Sequence, residues 1–209
     1  MPSVTRSTRR DPRHRDAIAA RVTQAVERLL LEGHGYTSLG VQRIADDSGI
    51  ARSTFYLHFP DKATLLMTIA ETATEELFAA GGAWLELGFA DPDRLEQTVA
   101  GIVEQQRAHA AVIAAVVEVA AYDEEVATFW RERVGGFIDV LAARIEEGQH
   151  AGTIPAALEP STTAAWITWG TERLIAQHVA EHPPGEDARM VRGLSRAIWS
   201  TLGQHARQP

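Results

Sequence analysis

Residues 41–59 constrain this chain more than any other stretch: Val-Gln-Arg-Ile-Ala-Asp-Asp-Ser-Gly-Ile-Ala-Arg-Ser-Thr-Phe-Tyr-Leu-His-Phe. On a helical period, Val41, Ile44 and Ala45 share one face of a short helix, Ser48-Gly49 interrupts it, and Phe55 and Phe59 share one face of a second. The spacing predicts a helix-turn-helix. Ala45 is small enough for a second helix to cross closely, and Gly49 tolerates a positive φ in the tight turn. Ile50 and Phe55 are expected to fill the angle between the two helices. What remains on the second helix is Arg52, Ser53, Thr54, Tyr56 and His58, a set of hydrogen-bond donors with little apolar surface. Such a face suits a DNA groove better than a core. Arg52 can offer a bidentate fork to guanine, and Ser53 and Thr54 can donate to base edges or phosphate.

The charge distribution points the same way. The net charge of −8 argues against a nucleic-acid binder when taken whole. Residues 1–62, however, hold ten Lys or Arg against seven Asp or Glu, and the rest hold ten against twenty-one. An acidic body with a basic end directs that end at a polyanion. Residues 1–11 are polar and Arg-rich, and they are expected to be a disordered basic arm. The arginines at 6, 9, 10, 13 and 15 precede no apolar stretch, which argues against a secretory signal. No run of 18 apolar residues exists to span a membrane, and there is no cysteine to build a disulfide framework or a thiolate site. The expected compartment is the cytoplasm.

Helical periodicity continues along the chain and predicts an all-α fold. A first helix over residues 12–32 carries Ile18, Val22, Ala25, Val26, Leu29 and Leu30 on one side. Pro60-Asp61 ends the second motif helix, and a helix over 62–80 follows, stopped by Gly81-Gly82. Asp91-Pro92 starts a segment reaching residue 109. Residues 110–121 are almost uniformly apolar and predict the buried centre of a bundle. Further helices are expected over 123–149, 161–181 with Ser161 as cap, and 186–204. The domain division expected is a basic arm and helix-turn-helix unit, 1–62, followed by an effector-binding and dimerisation bundle, 63–209.

The motif resembles the TetR family of bacterial transcriptional regulators. The resemblance rests on Thr54-Phe55-Tyr56-Leu57-His58-Phe59-Pro60-Asp61-Lys62, on Gly35-Tyr36 and on Ile44-Ala45, within residues 20–70. Gly40 departs from it, standing where the family commonly has a Ser or Thr that caps the first motif helix and touches phosphate; Gly40 or Ser38 is expected to cap here. The resemblance implies that Tyr56, His58 and Lys62 meet the phosphate backbone and adds Gln42 to the DNA-binding set. It also implies a homodimer through residues 161–182 and 186–204, whose two recognition helices read a palindromic operator. A small-molecule effector bound inside the second unit would release the DNA.

That second unit holds the five Trp, together with Phe129, Phe137 and Tyr122. Gln106, Glu118, Thr163 and Glu172 are polar groups able to converge on a largely apolar cavity. The expected effector residues are Trp166, Trp169, Glu172, Trp130, Phe137 and Gln106. No cofactor or metal is expected. A helical-bundle enzyme is the reading from another class, but there is no His-Glu-x-x-His pair and no Gly-x-Ser-x-Gly elbow. His178 and His182 lie one turn apart beside Pro183 and are expected to be solvated helix-end residues. Within the regulator class, an effector-independent protein or an activator stays open.

Overall fold

The computed structural model describes residues 12–87 and 91–202, whose regular elements are all helices, with no strand among them. The basic arm expected over residues 1–11, and the end of the last helix at 203–204, lie outside the described residues. The chain divides into two compact units between Ile69 and Ala70.

The first unit begins with α1 (Pro12–Leu31) and a single 3-10 turn (Tyr36–Ser38). It continues with α2 (Val41–Asp47), α3 (Arg52–His58) and the first turns of α4 (Lys62–Leu87). The stripe expected on α1 is buried from Ile18 to Leu30, and it shares a core with Tyr36, Ile44, Ala45, Phe55, Phe59, Leu65 and Leu66. The α2–α3 turn closes on Gly49, whose φ is +63°. Gly49 N–H donates to the Asp46 carbonyl and Ile50 N–H to that of Ala45, at 3.0 Å each. Arg21 of α1 then donates through Nη2 to the carbonyls of Ser48 (2.6 Å) and Gly49 (2.9 Å). A Cβ at position 49 would stand 2.7 Å from that nitrogen, the end of a side chain able to shift, so it is the positive φ that requires glycine. Gly40 caps α2 without a side chain, while the Ser38 hydroxyl donates instead to the Gly35 carbonyl.

The second unit contains the rest of α4, then α5 (Pro92–Ala108), α6 (Ala110–Ala120), α7 (Glu124–His150), α8 (Pro160–Glu181) and α9 (Asp187–Leu202). Helix α5 packs on α9 and α7 on both α6 and α8, around a core that includes Leu85, Leu141, Ile145, Ala164, Ile175 and Leu202. Asp91 and Asp123 cap α5 and α7 by accepting from the second and third N–H groups beyond them.

Three expectations about the extent, capping and burial of these helices need correction. Helix α4 runs through Gly81-Gly82 to Leu87. A glycine pair costs a helix roughly 1 kcal/mol per residue, but here packing offsets that cost. The Phe137 ring lies so close that a Cβ at 81 would be 2.7 Å from it. The cap of α8 is Glu159, not Ser161; its carboxylate accepts from the N–H groups of Ser161 (3.2 Å) and Thr162 (2.5 Å). Helix α6 is not buried all round, since its neighbours leave Val117 42% exposed.

A polar latch joins α5, α8 and α9. Arg107 donates to both carboxylate oxygens of Asp187, from Nε at 2.8 Å and Nη2 at 2.6 Å, and to the His182 carbonyl at 2.8 Å. His178 Nε2 lies 2.8 Å from Asp187 Oδ1, and the His182 ring stacks on that of His178 at 4.9 Å. His178 is thus buried and bonded, not solvated, because the chain turning into α9 brings Asp187 over it. The hydrogen bonds from Arg107, reinforced by His178, hold the Asp187 carboxyl down at about 2, against an ordinary 3.8. A depressed folded-state value means that the latch contributes fully above pH 3.8 and is lost as pH falls towards 2. Asp187→Asn is expected to cost about 2 kcal/mol at pH 7. Denaturant unfolding at several pH values should show that cost shrinking on acidification, and a constant difference would refute the assignment.

Candidate functional site

Helix α3 places its donors by simple period. Phe55 faces inward at 0% exposure, so Arg52, Ser53 and Tyr56 face outward, with Thr54 and His58 partly buried at the flanks. The Arg52 guanidinium lies 5.8 Å from the Tyr56 ring centroid, which aligns two of the donors side by side. The helix contains no carboxylate. A row of neutral and cationic donors without a compensating acid is a surface complementary to phosphate and base edges. Gln42 lies on the exposed side of α2, where its amide donates to Asp46 Oδ1 at 2.8 Å.

Lys62 is held differently from its neighbours in this set. Its ammonium donates to the carbonyls of Tyr36 (2.9 Å) and Thr37 (3.2 Å) and sits 5.0 Å from the Tyr36 ring centroid. The Tyr36 hydroxyl returns a bond to the Lys62 carbonyl at 2.6 Å. Burial lowers the Lys62 pKa. Two of its three protons therefore tie the start of α4 to the 3-10 turn, leaving one to face outward.

The second unit holds a partly open cavity of about 100 Å³, narrow beside most small-molecule sites but lined as they are. Phe78, Trp84, Trp130 and Phe137 supply aromatic walls, and leucines, valines and isoleucines supply most of the rest. Phe78 meets Trp130 edge-on and Phe137 at a tilt, each with ring centroids 6.5 Å apart. The polar lining consists of Thr98, Gln106, Thr168, Thr171 and Glu172. Burial raises the Glu172 carboxyl above its ordinary value, opposed by the charge of Arg173.

Four of the six residues expected near an effector, Gln106, Trp130, Phe137 and Glu172, come together around this cavity. Trp166 and Trp169 do not line it; they lie on the outward side of α8, 58% and 38% exposed. Glu118 and Thr163 are absent from the lining as well. At about 100° per residue, the inner stripe of α8 is Thr168, Thr171, Glu172 and Ile175, at i, i+3, i+4 and i+7. Counting back one turn from Glu172 finds Thr168, and Thr171 follows three residues after it. Trp84 enters because α4 outlasts its glycines.

Residues 28–69 match the family model described as bacterial regulatory proteins, tetR family, and residues 95–202 match that of the C-terminal domain of transcriptional regulator EthR. The HTH-type transcriptional regulator EthR of Mycobacterium tuberculosis is 31% identical over 176 residues, covering 82% of this chain and 81% of its own. Its namesake in Mycolicibacterium smegmatis is 25% identical over 176 residues, covering 84% and 81%. Among solved structures, Salmonella enterica GusR superposes with a TM-score of 0.72 at 21% identity, over 88% of this chain and 95% of its own. Bacillus subtilis FadR, solved with stearoyl-CoA, superposes with a TM-score of 0.63 at 16% identity, over 92% and 99%. At those identities the structural likeness is one of fold.

Proposed function

The chain belongs to the TetR family and is a transcriptional regulator with a DNA-binding helix-turn-helix, and from this we propose that it acts as a homodimeric repressor released from its operator by a small, largely apolar effector. In this reading residues 1–62 read DNA, residues 63–209 bind the effector and form the dimer, and the protein works in the cytoplasm. No described helix is long and apolar enough to cross a membrane.

The observation that carries the effector part is the cavity, a built, aromatic-walled space that a purely structural bundle would fill with side chains. The acyl ligand in the solved FadR supports an apolar effector by analogy of fold. The dimer part is supported by the outward side of α8, where Trp166, Trp169 and Leu174 are 58%, 38% and 45% exposed around Gly170. Such a row of large apolar side chains marks an association surface.

Release then follows as a population shift. Helix α4 starts at the Lys62–Tyr36 lock, and its later residues Leu77, Phe78, Gly81 and Trp84 line the cavity. An effector that prefers one placement of those turns favours one conformer of the helix. Operator affinity falls by its differential affinity for the two conformers. Arg52, with Ser53 and Thr54, reads bases; Tyr56, His58 and Gln42 position the backbone; Lys62 serves chiefly as the lock.

The test is a footprint and gel shift of the purified protein on DNA flanking its own gene, at fixed moderate salt with competitor. A protected palindrome bound by a dimer is expected. Arg52→Ala should lose about 1–3 kcal/mol of discrimination at one base pair in each half-site. Equal affinity for every base at every position, in wild type and variant alike, would refute the assignment.

A further inference from the structure

We infer that the cavity selects an apolar amphiphile carrying a basic amine, its ammonium held by Glu172 together with the hydroxyls of Thr168 and Thr171. The inference rests on the effector reading above and supplies the chemical class of the ligand.

Glu172 is the one ionisable group lining the cavity among the described residues; no Lys, Arg or His joins it. The nearby bases are engaged elsewhere. Arg173 is exposed on the outer side of α8. Arg133 donates to the Thr74 hydroxyl (2.6 Å) and the Glu71 carbonyl (3.0 Å), with its guanidinium 5.0 Å from the Phe78 ring centroid. A carboxylate beside apolar walls is costly until a cation or donor meets it, and burial already pushes the Glu172 carboxyl up.

The threonines add a second, independent observation. Elsewhere in this bundle helical threonines return their hydroxyls to the carbonyl one turn back, as Thr74 does to Ala70, Thr98 to Arg94 and Thr201 to Ala197. The hydroxyls of Thr168 and Thr171 are buried and make no hydrogen bond to the protein. Both residues line the cavity with Glu172, on one stripe of α8. Two hydroxyls able to accept and one carboxylate form a site for an N–H donor of positive charge. Trp130 and Phe137 add aromatic rings, a residue type that attracts the same charge, and the chain's net charge of −8 does not oppose it. A ligand carboxylate would instead meet Glu172 as a like charge with little water between them.

The test compares decylamine, decanol and decanoate, one apolar body with three head groups, by calorimetric titration of the full chain at pH 7 and physiological salt, below micellar concentrations. Decylamine is expected to bind at least about tenfold more tightly than decanol, with decanoate weakest. In Glu172→Gln the amine and the alcohol should bind alike. Thr168→Val with Thr171→Val is a second arm, expected to lower amine affinity about fivefold, with helix content checked by circular dichroism. Decanol or decanoate binding as tightly as the amine, or binding by none of the three, overturns the inference. So does an amine preference that survives Glu172→Gln, which would mark general attraction to an acidic protein. Operator binding followed in the same samples separates the two readings. Selective amine binding without DNA release defeats the release model alone, and release by decanol or decanoate without amine preference defeats this inference alone.

Discussion

Phe55→Ala is expected to abolish operator binding by unfolding the reading unit rather than by removing a contact to DNA. Phe55 is fully buried in α3, with its ring centroid 5.4 Å from Tyr56 in an edge-on pair and 5.6 Å from Phe59. Truncating a buried phenylalanine costs about 3–5 kcal/mol, through lost burial and the cavity left behind. A whole domain is stable by only about 5–15 kcal/mol. A unit of this size would lose a large share of its margin, and the outward row of Arg52, Ser53 and Tyr56 would lose the surface that aims it. Chemical denaturation followed by far-ultraviolet circular dichroism, together with a gel shift, checks both effects. An unfolding midpoint equal to wild type would show that Phe55 does not anchor the turn. Arg52→Ala is the natural contrast, because in the proposed reading it is expected to remove base discrimination while leaving the midpoint in place.

The second large effect is expected at the outward side of α8. Trp166→Glu should convert the proposed dimer into a monomer at micromolar concentration. An interfacial tryptophan commonly contributes 2 kcal/mol or more, roughly 30-fold in affinity. A two-fold axis makes each substitution count twice and sets two carboxylates on facing surfaces. Because Trp166 is 58% exposed in the single chain, the variant should keep its helix content and its cavity. Sedimentation velocity reads the assembly state directly. The operator should then be bound far more weakly, since two half-sites are no longer engaged by one rigid pair. A variant that sediments as wild-type dimer would place the interface on another surface.

The parts of the fold that follow local rules were legible residue by residue. The buried stripe of α1 repeats on the helical period, and Gly49 adopts the positive φ expected of it. Asp91 caps α5 as an Asp-Pro start suggests. The outward set on α3 follows from Phe55 and Phe59 facing inward. Misreadings arose where a local rule met a distant partner. Gly81 should end a helix, but Phe137, 56 residues further along, fills the space a side chain would need. His178 near a helix end should be wet, but Asp187 and Arg107 enclose it. Ser161 is a better cap than most residues, yet Glu159 reaches the free N–H groups first. The tryptophans of α8 drew notice by residue type, while their direction depended on which neighbours cover the helix.

The cavity shows the same division at the level of function. The residue types around it could be read from the chain: many aromatics, a few polar groups and one acid at position 172. Their convergence could not, because it depends on α4, α5, α7 and α8 packing at particular rotations. Pairs such as Arg133–Thr74 and Arg107–Asp187, 59 and 80 residues apart, help to set that arrangement. A helix-turn-helix spans some twenty residues and is specified by period, a small residue at the crossing and a glycine in the turn, all interactions within a few turns of chain. A pocket, a latch or an exposed tryptophan row is a property of surfaces brought together across the whole bundle. Side-chain type sets what such a surface can bind, and packing geometry decides which side chains it contains.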